Sequence, residues 1–458
     1  MVASTVVNVC PIALAARQQP QLSWLLMPSE TVSFLRFEQS VQKYCQYFSE
    51  AGLSNDERVI IPAVKDWHTL AALFALFRLG CVAVPVDPDS PSSRFRSLAK
   101  QIDASVCESL PELSASEVVA AQGPDHVDFS RPCLGIFTSG STGQPKLVLH
   151  TLNSLLTNAA AANTMIPMTG TDRTLLSLPL HHIGGIVQAL RAMLSRTALV
   201  MDGAVDQPDH LRFWSITHVS MVSTQLQRYL AHEVDCPSLK VVWLGGGPCP
   251  APLLEQARKR QLPVWQTYGM TETASHLLTL SPDGRMIVTA GMEIQVSAEQ
   301  ELLMRGSSLF AGYWSAPGIQ PARDHEGWFH SGDLVTLSDH HMAVTGRRDN
   351  RFISGGKNIQ PEEIERHLQQ LAEVQRALVV PVPHPEFGQV PFAFVELRDS
   401  QVCSAQWQQQ TILALKQRLP GYLVPRHYAC LPAEAGLKPR RPQLQQQAAE
   451  LMAGRSVD

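Results

Sequence analysis

The sequence predicts an α/β protein, with a large N-terminal domain of layered α/β sheets, a β-barrel-like subdomain, and a small α+β domain at the C-terminal end. Three observations predict it. Helix-like and strand-like segments alternate through roughly the first 330 residues, the pattern of largely parallel sheets covered by helices. Near residue 300 the texture changes to short alternating strands separated by turns. After Asp349 a compact helix–strand–strand–helix stretch follows, of ordinary size for a small domain. Domains at residues 1–348 and 349–458 are therefore expected.

The elements follow in order. "FEQSVQKYCQYFSEAGL" reads as a helix and "ERVIIPAV" as a strand. "TLAALFALFRLGCVAVPV" (Thr69–Val86) is the longest apolar stretch, but Arg78, Gly80 and Pro85 interrupt it, and it is too short to span a membrane comfortably. It reads as a buried helix, a glycine stop and a strand. "SLLTNAAAANTM" and "APLLEQARKRQ" are helical, while "RTLLSLPL" and "LKVVWLGGG" are strands, the second running into a turn. "QELLMRGSSLFAGYW" and "GWFHSGDLVTLSDHHMAVTGRRD" carry the short strands. "PEEIERHLQQLA" is a helix, "VQRALVVPVP" and "PFAFVEL" are strands, and "AQWQQQTILALKQRL" is the last of these helices.

Composition excludes several classes. Apolar residues make up 45% of the chain, enough for ordinary cores. A net charge of −4 and the lack of a long basic run argue against a nucleic-acid coat. Nine cysteines lie scattered without CxxC spacing, which fits reduced thiols in the cytoplasm better than a disulfide framework or a zinc knuckle. The first residues lack the basic start of a signal peptide.

"FTSGSTGQPKLVLH" (Phe137–His150) concentrates the chemistry. Gly140 and Gly143 let backbone fold around an anion, Thr138, Ser139, Ser141 and Thr142 supply donors, and Lys146 supplies charge. It is not a Walker A loop, because Pro145 precedes the lysine and the residues beyond it are β-like rather than the start of a helix. Taken alone, it also reads as a serine-rich hairpin turn.

With its neighbours in order, this loop resembles that of the adenylate-forming superfamily of acyl-CoA synthetases, luciferases and adenylation domains. "QTYGMTETA", "GWFHSGDL" and "GRRDNRFISGGKNIQPEEIE" are similar to three further motifs of that family. The resemblance implies a two-step reaction using ATP, Mg2+ and coenzyme A. A carboxylate attacks the α-phosphate and releases pyrophosphate; a thiol then displaces AMP. It implies that Ser139–Gly143 and Lys146 hold the β- and γ-phosphates, that Thr271 donates to the α-phosphate, and that Glu272 binds Mg2+. Tyr268 would stack on adenine, Gly269 would belong to the same nucleotide site, and Gly245, Gly246 and Gly247 would let backbone approach base and acyl group. Asp333 would accept from the ribose hydroxyls and Arg347 would meet AMP. Asp349 would be the hinge about which the C-terminal domain swings, and Lys438 would complete the adenylation site. In isolation, "YGMTET" also reads as a helix cap at Thr271, the glycines as a strand-to-helix turn, Asp333 as a turn aspartate, and Lys438 as part of a solvated basic tail with Arg440 and Arg441.

"LPLHHIGGIVQALRAML" (Leu178–Leu194) resembles the border of the family's acyl pocket. His182 matches its pocket histidine, with a core histidine as the plainer reading. Arg191 stands alone in an apolar helical run and is costly to bury unless an anion meets it; otherwise it snorkels from the helix edge. With "STQLQRYL" and "VPVPHPEFGQVPFAFVEL", this segment looks most like the o-succinylbenzoate–CoA ligases of menaquinone biosynthesis. That acid has a second carboxylate for Arg191 to pair. An aryl or medium-chain acyl-CoA ligase, or an adenylation domain loading a carrier protein, are the alternatives. Partners are expected to be small molecules, with no nucleic acid or transmembrane segment; a homo-oligomer is left open.

Overall fold

The computed structural model describes residues 7–113, 124–138, 145–316, 318–338, 341–398, 403–432 and 441–455. The chain divides into two compact units. One holds the described residues of Met1–Thr138, Pro145–Ile294 and Arg305–Trp328; the other holds Gln295–Met304 and the described residues from Phe329 onward.

In the first unit, two large sheets carry the expected strands. Val82–Val86 pairs in parallel with Arg58–Pro62 and Pro132–Thr138, and Lys146–Thr151 returns antiparallel beside Pro132–Thr138. Among the described residues this sheet has seven strands and the second has nine. The centre of the second is parallel, running through Arg173–Leu175, His218–Met221, Val241–Leu244 and Val264–Tyr268. Its neighbours Leu278–Leu280 and Met286–Val288 add on antiparallel.

The apolar stretch becomes the helix Trp67–Arg78, buried at almost every residue, followed by the strand Val82–Val86. Asp66 starts the helix by accepting the Thr69 N–H at 2.7 Å. Arg78, the one charge in the run, stays inside because both carboxylate oxygens of Glu38 receive its guanidinium. Gly80 turns the chain at φ +70°.

The second unit pairs Val374–His384 with Gly388–Leu397 as an antiparallel hairpin, with His427–Cys430 parallel beside it. Alternation along the strands builds two cores. Ala377, Val379, Ala393 and Val395 pack with Ile364 and Leu368 on one side. Val380, Val382, Phe392 and Phe394 pack with Leu444 and Ala448 on the other. Arg441 is not part of a solvated tail. It donates to both oxygens of Glu365, at 2.7 and 2.9 Å, and to the Val379 carbonyl. The compact second unit begins upstream of Asp349, so packing density and the expected swing axis mark different points on the chain.

Candidate active site

The first unit gathers the residues expected at phosphate and metal. Thr138 and Lys146 face each other across the hairpin whose connection holds Ser139, Gly140, Ser141, Thr142 and Gly143; those five lie outside the described residues. Lys146 begins a strand, not a helix, as its sequence surroundings predict. Its Nζ lies 5.2 Å from the Tyr313 ring centroid, and the Tyr313 hydroxyl donates to Glu272 Oε1 at 2.8 Å. Tyr313 therefore links the expected phosphate lysine to the expected metal carboxylate.

The turn bearing Thr271 and Glu272 is a single 3-10 turn, Thr271–Thr273, capped by Met270 rather than by Thr271. Buried side chains lock it. Asn158 Nδ2 donates to the carbonyls of Thr273 and His276 at 3.1 and 2.7 Å. His150 Nε2 donates to the Thr271 carbonyl at 2.7 Å, and its Nδ1 faces the Ser154 hydroxyl at 3.0 Å. Burial pushes His150 down to about 4, so its imidazole is neutral near pH 7. Gly269 is required: a Cβ there would lie 1.6 Å from the Ser275 carbonyl oxygen. Tyr268 ends the strand Val264–Tyr268, half-buried. Gly245, Gly246 and Gly247 follow Val241–Leu244 and precede the helix Ala251–Lys259. A Cβ at Gly245 would meet Thr267 Oγ1 at 2.4 Å, and Gly246 takes φ +82°.

On the acyl side, His182 is exposed at the start of the helix Ile183–Ser195, which removes the core-histidine reading. Arg191, on the same helix, does not snorkel. It is 4% exposed, with its guanidinium 4.2 Å from the Trp243 ring centroid. Its Nε donates to Asn163 Oδ1 at 3.1 Å, whereas Nη2 has no hydrogen-bond partner among the described residues. Burial pushes its pKa down to about 9, which leaves it charged at neutral pH.

The second unit brings Asp333, Arg347 and Asp349 together. Arg347 Nη1 donates to the buried Asp333 Oδ1 at 2.7 Å, and its Nη2 lies 3.6 Å from Asp349 Oδ2. Asp333 is a strand residue, opposite Arg347 in register, so the turn-aspartate reading fails. The buried Glu301 holds the backbone before it, accepting the Gly332 N–H at 2.8 Å and the Arg348 guanidinium at 2.6 Å. Lys438 lies outside the described residues.

Sequence reasoning missed Tyr313, His150, Asn158, Trp243 and Glu301. Each acts on a partner tens of residues away; His150 lay inside the phosphate-loop motif, and the other four lay in stretches that read only as strand or helix.

The AMP-binding enzyme family matches residues 12–128 and 108–314, and its C-terminal domain matches 363–435. The chain belongs to the AMP-binding enzyme family. It is an AMP-binding enzyme similar to the 2-succinylbenzoate–CoA ligase of Salmonella typhimurium, 31% identical over 93% of this chain and 95% of that one. Among solved structures, it resembles the o-succinylbenzoate CoA synthetase (MenE) of Bacillus subtilis in complex with the acyl-adenylate intermediate OSB-AMP. That match has a TM-score of 0.83 and 26% identity, covering 96% of this chain and 98% of the other. The same Bacillus subtilis enzyme in complex with ATP and magnesium ion gives a TM-score of 0.84 at 25% identity, covering 96% and 100%. Among the described residues, no helix is long and apolar enough to cross a membrane.

Proposed function

We propose that this AMP-binding enzyme is an AMP-forming o-succinylbenzoate–CoA ligase. The aliphatic carboxylate attacks the α-phosphate of ATP, forming the acyl-adenylate and releasing pyrophosphate. The thiol of coenzyme A then attacks the acyl carbon, forming the thioester, with AMP as leaving group.

The first step brings two anions together, so donors and positive charge must offset their repulsion. Lys146 and Ser139–Gly143 take the β- and γ-phosphates, and Thr271 takes the α-phosphate. Asp333 accepts from the ribose hydroxyls and Arg347 contacts AMP. Tyr268, Gly269 and the Gly245–Gly247 loop border the adenine and acyl groups, with His182 at the acyl side. Lys438 stabilises charge during adenylation, and Asp349 is the hinge between the two steps. Mg2+ fits Glu272 as one carboxylate ligand, because this hard cation keeps water and phosphate oxygens for its other positions. Among the described residues, no group of three His, Cys, Asp or Glu side chains offers an all-protein cage. When bound, the ion neutralises phosphate charge. All nine cysteines are unbridged, in keeping with a cytoplasmic enzyme.

The choice of acid rests on Arg191. A buried guanidinium with an unpartnered nitrogen calls for an anion. An apolar medium-chain or plain aryl acid leaves that charge unmatched, whereas the ring carboxylate of o-succinylbenzoate pairs it. The test is pyrophosphate exchange with o-succinylbenzoate, benzoate, phenylbutyrate and octanoate, followed by AMP release with and without coenzyme A. Exchange fastest with o-succinylbenzoate and AMP release stimulated by coenzyme A are expected. Equal exchange with octanoate overturns the substrate, and AMP release indifferent to coenzyme A overturns the acceptor.

A further inference from the structure

Three buried nitrogens on three touching side chains have no hydrogen-bond partner among the described residues: Arg191 Nη2, Trp243 Nε1 and His276 Nδ1. The Arg191 guanidinium lies over the Trp243 ring, and the His276 ring meets the same indole edge-on, with centroids 4.8 Å apart. Buried donors are almost always satisfied, so three orphans in one cluster need a cause. All three are donors, or become donors by choice of tautomer. What is absent is an acceptor.

The arrangement is built rather than incidental. Asn163 holds the Arg191 backbone carbonyl with its Nδ2 and the Arg191 Nε with its Oδ1, leaving the far side of the fork uncommitted. Asn158 holds the carbonyl of His276, and the left-handed residues Ala274 and Ser275 set the chain direction just before it. His276 thus follows directly from the turn that carries Thr271 and Glu272. The imidazole stays uncharged because burial and the facing Arg191 both disfavour a proton. An uncharged ring can place its single proton on Nδ1 and donate.

We infer that His276 is a second donor to the non-reacting carboxylate, beside Arg191, and that it sets selectivity for acids carrying that group. This rests on the reading of the substrate as an acid with a ring carboxylate. Arg191 supplies the charge, His276 a neutral donor, and Trp243 the wall against which both are held. One guanidinium and one neutral imidazole match a single negative charge, whereas a second cation would overcompensate it. Placing this donor four residues after Glu272 also ties recognition of the acid's far end to the turn expected at the metal and α-phosphate.

The test uses two substitutions and two acids: o-succinylbenzoate, and benzoylpropionate, which is the same acid without its ring carboxylate. His276→Phe keeps a ring against Trp243 and removes the donor. His276→Asn removes the ring and keeps a donor near the Nδ1 position. The readout is the ratio of kcat/KM for the two acids, with thermal melts confirming folding. His276→Phe should lower the ratio about 10- to 100-fold, the scale of one hydrogen bond to a charged group, and His276→Asn should restore most of it. An unchanged ratio in His276→Phe, or an equal loss on both acids in both variants, overturns the inference and leaves His276 a packing residue satisfied by water. Wild-type enzyme that fails to prefer o-succinylbenzoate overturns the substrate reading itself, and the inference falls with it. Should His276→Phe not fold, 15N-histidine spectra of the wild type decide the matter. The His276 Nδ1 signal must shift with o-succinylbenzoate and not with benzoylpropionate; equal response to both overturns it.

Discussion

Arg347 and Asp333 face each other across an antiparallel strand pair, the guanidinium donating to the buried carboxylate at 2.7 Å. The carboxylate expected to bind ribose is thus held in place by a cation before any sugar arrives. A carboxylate offers two acceptor oxygens, enough for the guanidinium and the hydroxyls together, whereas an amide offers one. Asp333→Asn should raise KM for ATP about 10- to 100-fold, the cost of losing charge-assisted acceptors. KM measured by pyrophosphate exchange checks this. An unchanged KM with a lowered Tm would make Asp333 an anchor for Arg347 alone.

Tyr313 supports a second prediction. Its hydroxyl orients Glu272 while its ring lies beside Lys146. Tyr313→Phe keeps the ring and deletes one hydrogen bond, worth about 1 kcal/mol. The Mg2+ concentration giving half-maximal adenylation should rise about fivefold, with little change in Tm. A Mg2+ titration of both forms measures it. No shift would place the metal away from Glu272.

How much of this was legible in the sequence follows from the range of each interaction. The helix Trp67–Arg78 and the two-sided strand Val374–His384 were legible because period and burial are local properties. Lys146, Glu272 and Asp333 stood out because glycines and hydroxyls lie beside them in the sequence. Tyr313 looked like an ordinary strand residue. Its contact with Glu272 depends on Gly312–Ser315 pairing with Lys146–Thr151, a register that no short window contains. Glu301 was hidden in the same way, since Gly332 arrives with the strand Phe329–Ser338 and Arg348 from beyond it. Arg191 was visible as a lone charge, but Trp243 and His276 beneath it were not, because three separate elements bring them together.

Acid should unfold the protein from the histidine side. Burial first, opposed by the hydrogen bond to the Thr271 carbonyl, lowers His150 to about 4. Burial first, then Arg191, lowers His276 to about 3. Burial first lowers His218 to about 4, with Arg191 and Lys240 adding and Asp172 opposing. Each pKa is lower in the folded state than the unfolded value of about 6.5, so the unfolded chain binds more protons between these limits. Stability is therefore fully present above pH 6.5 and is lost as pH falls towards 4. The slope approaches about 1.4 kcal/mol per pH unit for each histidine held neutral. Denaturant midpoints at pH 7, 6 and 5 should fall progressively, and His150→Asn should flatten the slope. A slope unchanged by that substitution would mean that His150 takes up its proton without unfolding.

Arg191 gives the most specific expectation. Its guanidinium rests on Trp243, is fixed at Nε by Asn163, and keeps Nη2 for a ligand. Truncating one partner of a desolvated charge pair costs about 2–5 kcal/mol, or roughly 30- to 4,000-fold in kcat/KM. Arg191→Leu should lose o-succinylbenzoate by that factor and gain on benzoylpropionate, because a buried charge no longer stands unmatched against the smaller acid. Arg191→Lys should recover little: an ammonium offers neither the planar face that stacks on Trp243 nor the fork that meets a carboxylate. The ratio of kcat/KM for the two acids in the wild type and in both variants measures this. A uniform fall on the two acids would reduce Arg191 to a support for the fold and remove the residue-level argument for a dicarboxylate.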